Sequence, residues 1–193
     1  MIMLARRFLA TLASTAIALA GLQILAGPPA EANTAGTAIV INEVYGGGGN
    51  SGAPYNADFI ELYNPTSTDL GLSSYNVGYW SATGASGGQQ HLSGTIPAHG
   101  YYLIGGTVGA TGSALPTPDV SLTLNMSGTA GRVVLYTGAA TTTTIPAPTA
   151  GTVVDFVGFG TTAATFEGTG PTPAPSNTNS VARNATHADT DNN

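Results

Sequence analysis

Apolar residues in this chain come in short, scattered runs, and this spacing limits the possible folds more than any other property of the sequence. From about residue 38 onward the runs are separated by Gly, Pro, Asn and Ser. Beyond the N-terminal segment, no stretch repeats with the period of roughly 3.6 residues that marks an amphipathic helix. Short apolar runs bounded by turn residues are typical of β-strands. The pattern therefore predicts an all-β domain.

The candidate strands fall at regular intervals. They are 38–45, 58–63, 70–72, 75–80, 92–96, 101–104, 120–124, 132–136 and 153–159. Segments 84–88 and 139–150 are predicted as loops, and the proline-rich segment 170–180 is predicted to be ordered only by docking. Roughly seven to nine short strands at this spacing favour an immunoglobulin-like β-sandwich.

Residues 1–32 have the layout of a secretory signal peptide, and we expect this segment to form a signal helix. Two arginines precede an apolar run at 8–26, and a Pro–Pro pair and an A-x-A cleavage site at 30–32 follow it. A membrane anchor is the alternative, because the apolar run is nearly long enough to span a bilayer. We expect cleavage after Ala32, a secreted or cell-surface-associated product, and one domain over 33–193 without a membrane segment.

The charge of the predicted mature chain is strongly one-sided. The sequence contains neither cysteine nor lysine, and residues 33–193 keep Arg132 and Arg183 as their only cations against nine acidic residues. Such a surface repels phosphates, so we expect no direct binding of nucleic acid. Without disulfides, an exported domain depends on core packing, hydrogen bonds or bound ions.

Several segments, in the same order along the chain, resemble the lamin-tail domain in the form found in bacteria. They are INEVYGGGGNSGAPYNADFIELYNPT (41–66), DLGLSSYNVGYW (69–80), GTIPAHGYYLIGG (94–106), VVDFVGFGTTAATFEGTGPTPAPSNTNSVARN (153–184) and DTDNN (189–193). The resemblance extends over most of residues 38–193. It implies an immunoglobulin-like β-sandwich, in agreement with the spacing of the strands.

The resemblance also implies a function. Such domains are accessory modules of secreted or surface proteins and often precede a nuclease or phosphatase-like domain. They have no accepted catalytic residues, so we expect a non-catalytic interaction or targeting module with no cofactor. Its partner would be a protein, a cell-surface or glycan ligand, or a downstream catalytic domain. Because relatives continue beyond DTDNN into a further strand, we also expect truncation at the C-terminal edge. The alternative is the N-terminal piece of an extracellular nuclease or phosphoesterase.

Two glycine-rich motifs raise catalytic or phosphate-binding alternatives. Gly46–Gly49 lacks the lysine and the following helix that a phosphate-binding loop requires, so we interpret it as a close-packed connection between two strands. Residues 84–88 match G-x-S-x-G, and a triad with His91 and Asp155 can be drawn. That motif requires a strand–turn–helix context, which the sequence does not predict.

Three further groups of residues are candidate binding sites. Calcium is a possible ligand either of Glu43, Asp58 and Glu61 or of Asp189 and Asp191, with hydrogen-bonded or solvated acids as the alternative. Five aromatic residues are candidates for an exposed sugar platform, with a mixture of core and surface positions as the alternative: Tyr75, Tyr79, Trp80, Tyr101 and Tyr102. The histidines lack zinc-site spacing and are predicted in turns or on the surface: His91, His99 and His187.

Overall fold

The structure is a computed structural model that describes residues 36–84, 86–140, 144–147 and 150–193, with Ser86 described by its backbone alone. The predicted signal peptide lies outside the described residues. Within these ranges, no helix combines the length and the apolar character needed to cross a membrane.

The described residues form eleven strands in three sheets. The five-stranded sheet has the order β11-β1-β2-β7-β8, and the four-stranded sheet has the order β10-β9-β4-β5. The strands are β1 (Val40–Tyr45), β2 (Ala57–Tyr63), β3 (Leu70–Gly71), β4 (Tyr75–Ser81), β5 (Ser86–His91), β6 (Thr95–Ile96), β7 (Tyr101–Val108), β8 (Val120–Ser121), β9 (Gly131–Thr137), β10 (Val153–Phe159) and β11 (Val181–Ala182). Strands β3 and β6 pair as a separate short ribbon. All pairings between strands are antiparallel except that of β7 with β8.

The two larger sheets pack face to face around one core. Ile41 and Ile60 come from the five-stranded sheet, and Val77, Val133 and Val157 come from the four-stranded sheet. Alternate residues of each strand point into this core because successive side chains of a strand point to opposite faces. The all-β class and the sandwich predicted from the spacing are therefore confirmed.

One edge of the four-stranded sheet corrects two predictions. Residues 84–88 were predicted as a loop and 92–96 as a strand, whereas β5 occupies Ser86–His91 and β6 only Thr95–Ile96. The sequence of β5, SGGQQH, contains no apolar residue. It pairs with β4 through its backbone, and a search for apolar runs cannot detect such a strand.

The Gly46–Gly49 connection is packed against other backbone segments. A Cβ on Gly46 would collide with the Ser127 carbonyl, and one on Gly48 would collide with the backbone of Ala57. Gly49 has φ +73°, a conformation that side-chain-bearing residues rarely adopt. The glycines therefore serve close packing between β1 and β2, as the sequence interpretation proposed.

The outer face of the four-stranded sheet carries a second apolar cluster. Trp80, Tyr136 and Phe156 are buried there, and Ile145 and Ala150 pack against them. Ile145 and Ala150 belong to the threonine- and proline-rich segment 139–150, of which 141–143 and 148–149 lie outside the described residues. The described part of that segment is therefore a cover for this face of the sheet.

Candidate functional site

A buried carboxylate, that of Asp155, joins the two sheets along one rim of the sandwich. Asp155 lies on β10, and its Oδ2 accepts a hydrogen bond of 2.6 Å from the Ile41 amide of β1. Its Oδ1 accepts a bond of 2.7 Å from the Phe156 amide. The Ile41 donor lies beside a bulge in the β1–β2 pairing. A bulge leaves backbone groups outside the regular ladder, which suits this contact between sheets.

Arg183 is the partner of Asp155 and the hub of the rim. Its Nη2 donates to both Asp155 oxygens at 2.9 and 2.8 Å, and its Nη1 donates to Asp189 Oδ1 at 3.3 Å. Its Nε donates to the Ile41 carbonyl at 2.9 Å. One guanidinium thus connects β1, β10 and the C-terminal segment. Hydrogen bonds between an ionised donor and an ionised acceptor are stronger than those between neutral groups.

Two further carboxylates complete a cluster around Asp155. Glu167 is 5% exposed and Asp189 is 8% exposed. One possible ligand oxygen from each of Asp155, Glu167 and Asp189 lies within 4.8 Å of the other two. Glu167 Oε1 and Asp189 Oδ2 have no hydrogen-bond partner among the described residues. We call Asp155, Glu167, Asp189 and Arg183 the rim cluster.

The rim cluster holds several acidic groups close together in a part of the protein that is shielded from water. Burial, together with the charges of Asp155 and Asp189, raises the pKa of Glu167 to about 9. Burial also raises the pKa of Asp155 to about 6, although Arg183 and the Ile41 amide act in the opposite direction. Burial lowers the pKa of Arg183, but the neighbouring carboxylates outweigh it and leave that pKa raised. The cluster therefore has more carboxylates than its one cation can balance.

The last residues of the chain fasten the rim cluster to β10. Asn193 Nδ2 donates to the Phe156 carbonyl at 2.9 Å, and Asn193 Oδ1 accepts from the Gly158 amide. Asn192 Oδ1 accepts from the Thr169 amide at 2.8 Å. A groove of about 450 Å³ opens beside these residues and is lined by parts of β1, β10 and β11.

A second candidate group of side chains lies on the outer face of the five-stranded sheet. The Tyr63 ring lies 5.0 Å from the Tyr101 ring and 4.3 Å from the His187 ring, measured between centroids. Tyr63 and Tyr101 are directly opposite each other in the β2–β7 pairing. We call Tyr63, Tyr101 and His187 the aromatic platform; Tyr101 is 48% exposed.

A chain of hydrogen bonds orients the aromatic platform. Asn42 Nδ2 donates to Glu61 Oε1 at 2.7 Å, which leaves Asn42 Oδ1 to accept from His187 Nδ1 at 2.7 Å. His187 Nε2 can then accept from the Tyr101 hydroxyl, 3.1 Å away. These bonds fix which atoms donate and which accept in Asn42, Glu61, His187 and Tyr101.

Comparison with known families identifies the domain. Residues 32–161 match the sequence profile of the Lamin Tail Domain family. The chain belongs to this family. A comparison with curated proteins gave no match. The match ends before Glu167, Arg183 and Asp189, so three of the four residues of the rim cluster lie beyond it, as does part of the resemblance noted in the sequence.

The lamin tail domain does not bring the first calcium candidates together. Asp58 Oδ1 and Oδ2 accept hydrogen bonds from the Gly48 and Met126 amides, at 2.8 and 2.6 Å. Glu61 contacts Asn42 instead. Asp58 and Glu61 are three residues apart on β2, and an odd separation places them on opposite faces of the sheet. Glu43 lies opposite Glu61 in the β1–β2 pairing. Glu43 and Glu61 are therefore neighbours, but Asp58 lies on the other face with both of its oxygens bound to backbone amides, so the three acids do not converge.

The structure does not pair His91 with Asp155, as the possible catalytic triad would require. His91 Nδ1 lies 3.2 Å from Asn76 Oδ1, whereas Asp155 is held by Arg183. The G-x-S-x-G residues lie at edge strand β5 rather than in a strand–turn–helix, and the Ser86 side chain lies outside the described residues. His99 occupies a turn with φ 54°. Where the structure describes the chain, the group of metal-ligand side chains contains carboxylates and no histidine.

The aromatic residues divide between core and surface. Tyr79, Trp80 and Tyr102 are buried, so they cannot belong to an exposed platform. Tyr101 is exposed, but its neighbours are Tyr63 and His187, which the sequence analysis had not grouped with it.

Sequence reasoning also missed two members of the rim cluster. Glu167 is the only acidic residue between Asp155 and Asp189, in a stretch rich in Gly, Thr and Pro. Arg183 is one of two cations in residues 33–193. The signal that the sequence offered was an isolated charged residue in an otherwise uncharged segment, since such a residue has few other roles there.

Proposed function

We propose that this lamin tail domain is an exported, non-catalytic interaction module that binds an uncharged glycan on its aromatic platform. The single observation that carries the proposal is the ordered group of Tyr63, Tyr101 and His187 on the outer face of the five-stranded sheet. Family membership defines the scaffold, and the side chains of the site indicate the ligand, because a fold does not determine a function.

The platform is prepared for a flat ligand. Tyr101 exposes part of its ring while its hydroxyl is engaged with His187. Rings held by neighbours lose little rotamer freedom on binding, which reduces the entropic cost of association. An aromatic face beside a small number of fixed polar atoms matches the general composition of small-ligand sites. The C–H face of a sugar ring and its hydroxyl groups suit this combination.

Charge favours an uncharged ligand over a phosphate-bearing one. Arg183 is engaged within the rim cluster, and Arg132 donates to the carbonyls of Ser81 and Gly84 and to Thr165. Neither guanidinium is therefore available to pair with phosphate groups. Glu61, which is linked to the platform through Asn42, is already hydrogen-bonded to that residue. This arrangement supports a glycan and disfavours nucleic acid.

A binding assay with insoluble glycans tests the proposal. The protein, expressed from the full sequence, would be mixed with cellulose, chitin or insoluble β-1,3-glucan, all of them uncharged, and the bound fraction measured after centrifugation. We expect binding to at least one of them and a loss of about tenfold or more in affinity for Tyr101→Ala, the typical effect of removing an aromatic anchor. Val108→Ala is the matched control, since Val108 lies on the same strand and is 67% exposed. Binding of wild type to none of the three, or equal binding by Tyr101→Ala, would contradict the proposal.

Export is tested separately by the N-terminus of the secreted product. We expect the protein recovered from the medium of an expressing bacterium to begin at Asn33, because cleavage follows the A-x-A site at 30–32. Recovery in the membrane fraction with residues 1–32 attached would instead support the anchor alternative.

A second candidate function is that this module belongs to an extracellular nuclease or phosphoesterase. The observation that favours it is the four-glycine loop 46–49, a feature that resembles lamin-tail domains found beside such enzymes. The test is the genomic reading frame after codon 193. A continuing frame with clustered His, Asp and Asn codons would support this candidate, and an in-frame stop would support the free-standing module.

A further inference from the structure

The rim cluster contains carboxylate oxygens that the protein leaves without partners. Asp155 uses both of its oxygens for Arg183 and backbone amides. Asp189 uses Oδ1 for Arg183 and for the Asp191 amide, which leaves Oδ2. Glu167 Oε1 is likewise without a partner among the described residues, and Glu167 is only 5% exposed. A buried polar atom without a partner is costly, and most such atoms in folded proteins are paired.

The charge balance of the cluster is negative. Asp155, Glu167 and Asp189 supply three carboxylates, and Asp191 adds its charge to the field that raises the pKa of Glu167. Arg183 supplies one positive charge. Like charges at this separation in a buried place repel strongly unless a proton neutralises one of them, as the raised pKa of Glu167 reflects, or a counter-charge joins them. The surplus of negative charge and the two oxygens without partners lie in the same cluster. A bound cation would balance the charge and give both oxygens a partner.

The donor atoms indicate which cation. All the candidate ligands are carboxylate oxygens, and the group contains no histidine. Hard divalent cations are bound by oxygen, whereas zinc prefers nitrogen and sulfur. Oxygens spread over 4.8 Å fit around one Ca²⁺, whose ligands lie about 2.3–2.6 Å from the ion. Mg²⁺ binds at about 2.0–2.1 Å and keeps most of its water, so a cage of three protein carboxylates suits it less.

We propose that Asp155, Glu167 and Asp189 bind one Ca²⁺, with Glu167 Oε1 and Asp189 Oδ2 as the principal protein ligands. Arg183 lies against Asp155 and against Asp189 Oδ1, so it leaves Asp189 Oδ2 available. The ion would fasten the loop that carries Glu167 and the segment 189–193 to β10. Its role is structural, and the expected dissociation constant is that of extracellular calcium modules, about 10⁻⁴–10⁻³ M.

Calcium titration of the full-length protein tests the site. The protein, treated with a chelator and dialysed, would be titrated with CaCl₂ in a calorimeter, and its thermal unfolding followed at increasing calcium. We expect one binding site, and about a tenfold fall in the unfolding equilibrium constant when free calcium reaches ten times the dissociation constant. The same titration with MgCl₂ should give a markedly weaker response; an equal response would overturn the assignment to calcium.

One substitution in the rim cluster, compared with a control substitution outside it, locates the ion. Glu167→Gln keeps the size of the side chain, removes one ligand charge, and should weaken calcium binding at least tenfold while the protein still folds. Glu43→Gln is the matched control, because Glu43 is a partly exposed acid of β1 outside the rim cluster, and it should bind calcium like wild type. Absence of calcium binding by wild type up to 10 mM would overturn the proposal. So would an unchanged response of Glu167→Gln, or loss of the response in Glu43→Gln.

Discussion

The replacement Arg183→Met gives the most informative stability test of the rim. Arg183 makes five hydrogen bonds, three of them to carboxylate oxygens of Asp155 and Asp189. Asp155 is fully buried, so loss of the guanidinium leaves an uncompensated charge in the interior. Breaking a buried pair in this way costs about 3–5 kcal/mol. That is a large share of the roughly 5–15 kcal/mol that stabilises a typical domain.

Urea unfolding in a chelator, near neutral pH, measures this cost. Trp80 is the only tryptophan and is buried, so its fluorescence reports unfolding directly. A loss of about 3–5 kcal/mol corresponds to a fall in melting temperature of about 6–20 °C for a domain of this size. The double variant Arg183→Met/Asp155→Asn should recover part of the loss, because it also removes the stranded charge.

Arg132→Met is the control for the loss of a buried guanidinium as such. Arg132 is buried and Arg183 is nearly so, with 15% of its side chain exposed, but the partners of Arg132 are the uncharged oxygens of Ser81, Gly84 and Thr165. Its removal leaves no buried charge and should cost only about 1–3 kcal/mol. If Arg183→Met lost less than about 1 kcal/mol, or no more than Arg132→Met, the assignment of Arg183 as the electrostatic hub of the rim would be refuted.

Further predictions concern the glycine loop and the acid beneath it. Gly48→Ala should destabilise the domain by at least about 2 kcal/mol, because its Cβ would overlap the backbone of Ala57. Gly71→Ala, on a strand where a Cβ meets nothing within 4 Å, should be nearly neutral in the same urea assay; equal losses would contradict the packing account. Burial raises the pKa of Asp58 from 3.8 to about 6. The native state therefore holds this proton more tightly than the unfolded state. The resulting stabilisation, up to about 3 kcal/mol, is complete below about pH 4 and is lost as the pH rises through about 6. Asp58→Asn should flatten that part of the curve of unfolding free energy against pH, and an unchanged slope would show that another group is responsible.

The sequence predicts the core strands of this fold because their signal is local. Strands β1, β2, β9 and β10 combine Val, Ile, Leu and aromatic residues with turn residues on both sides, and each was located to within two residues. Edge strand β5 is held by backbone pairing and carries polar and glycine residues, so no apolar pattern marks it. The two-residue strand β11 is too short to produce any pattern.

The candidate sites were less predictable because they depend on contacts between distant segments. Asp155, Glu167 and Asp189 come from a strand, a loop and the C-terminal segment, and no spacing rule relates them. The sequence did indicate an oxygen-rich segment at 189–193, and the structure adds the two carboxylates that lie beside it. For the aromatic platform, the alternation of β7 decides that Tyr101 faces solvent and Tyr102 faces the core. His187 reaches Tyr63 from 124 residues away along the chain, which sequence patterns do not encode.

The dissociation constant for glycan is the most direct test of ligand binding by the aromatic platform. A soluble oligosaccharide of the glycan that wild type retains would be titrated into wild type, Tyr101→Ala and Val108→Ala. We expect saturable binding by wild type, about tenfold or more weaker binding by Tyr101→Ala, and no change for Val108→Ala. Equal dissociation constants for wild type and Tyr101→Ala would show that the aromatic platform is not the binding surface.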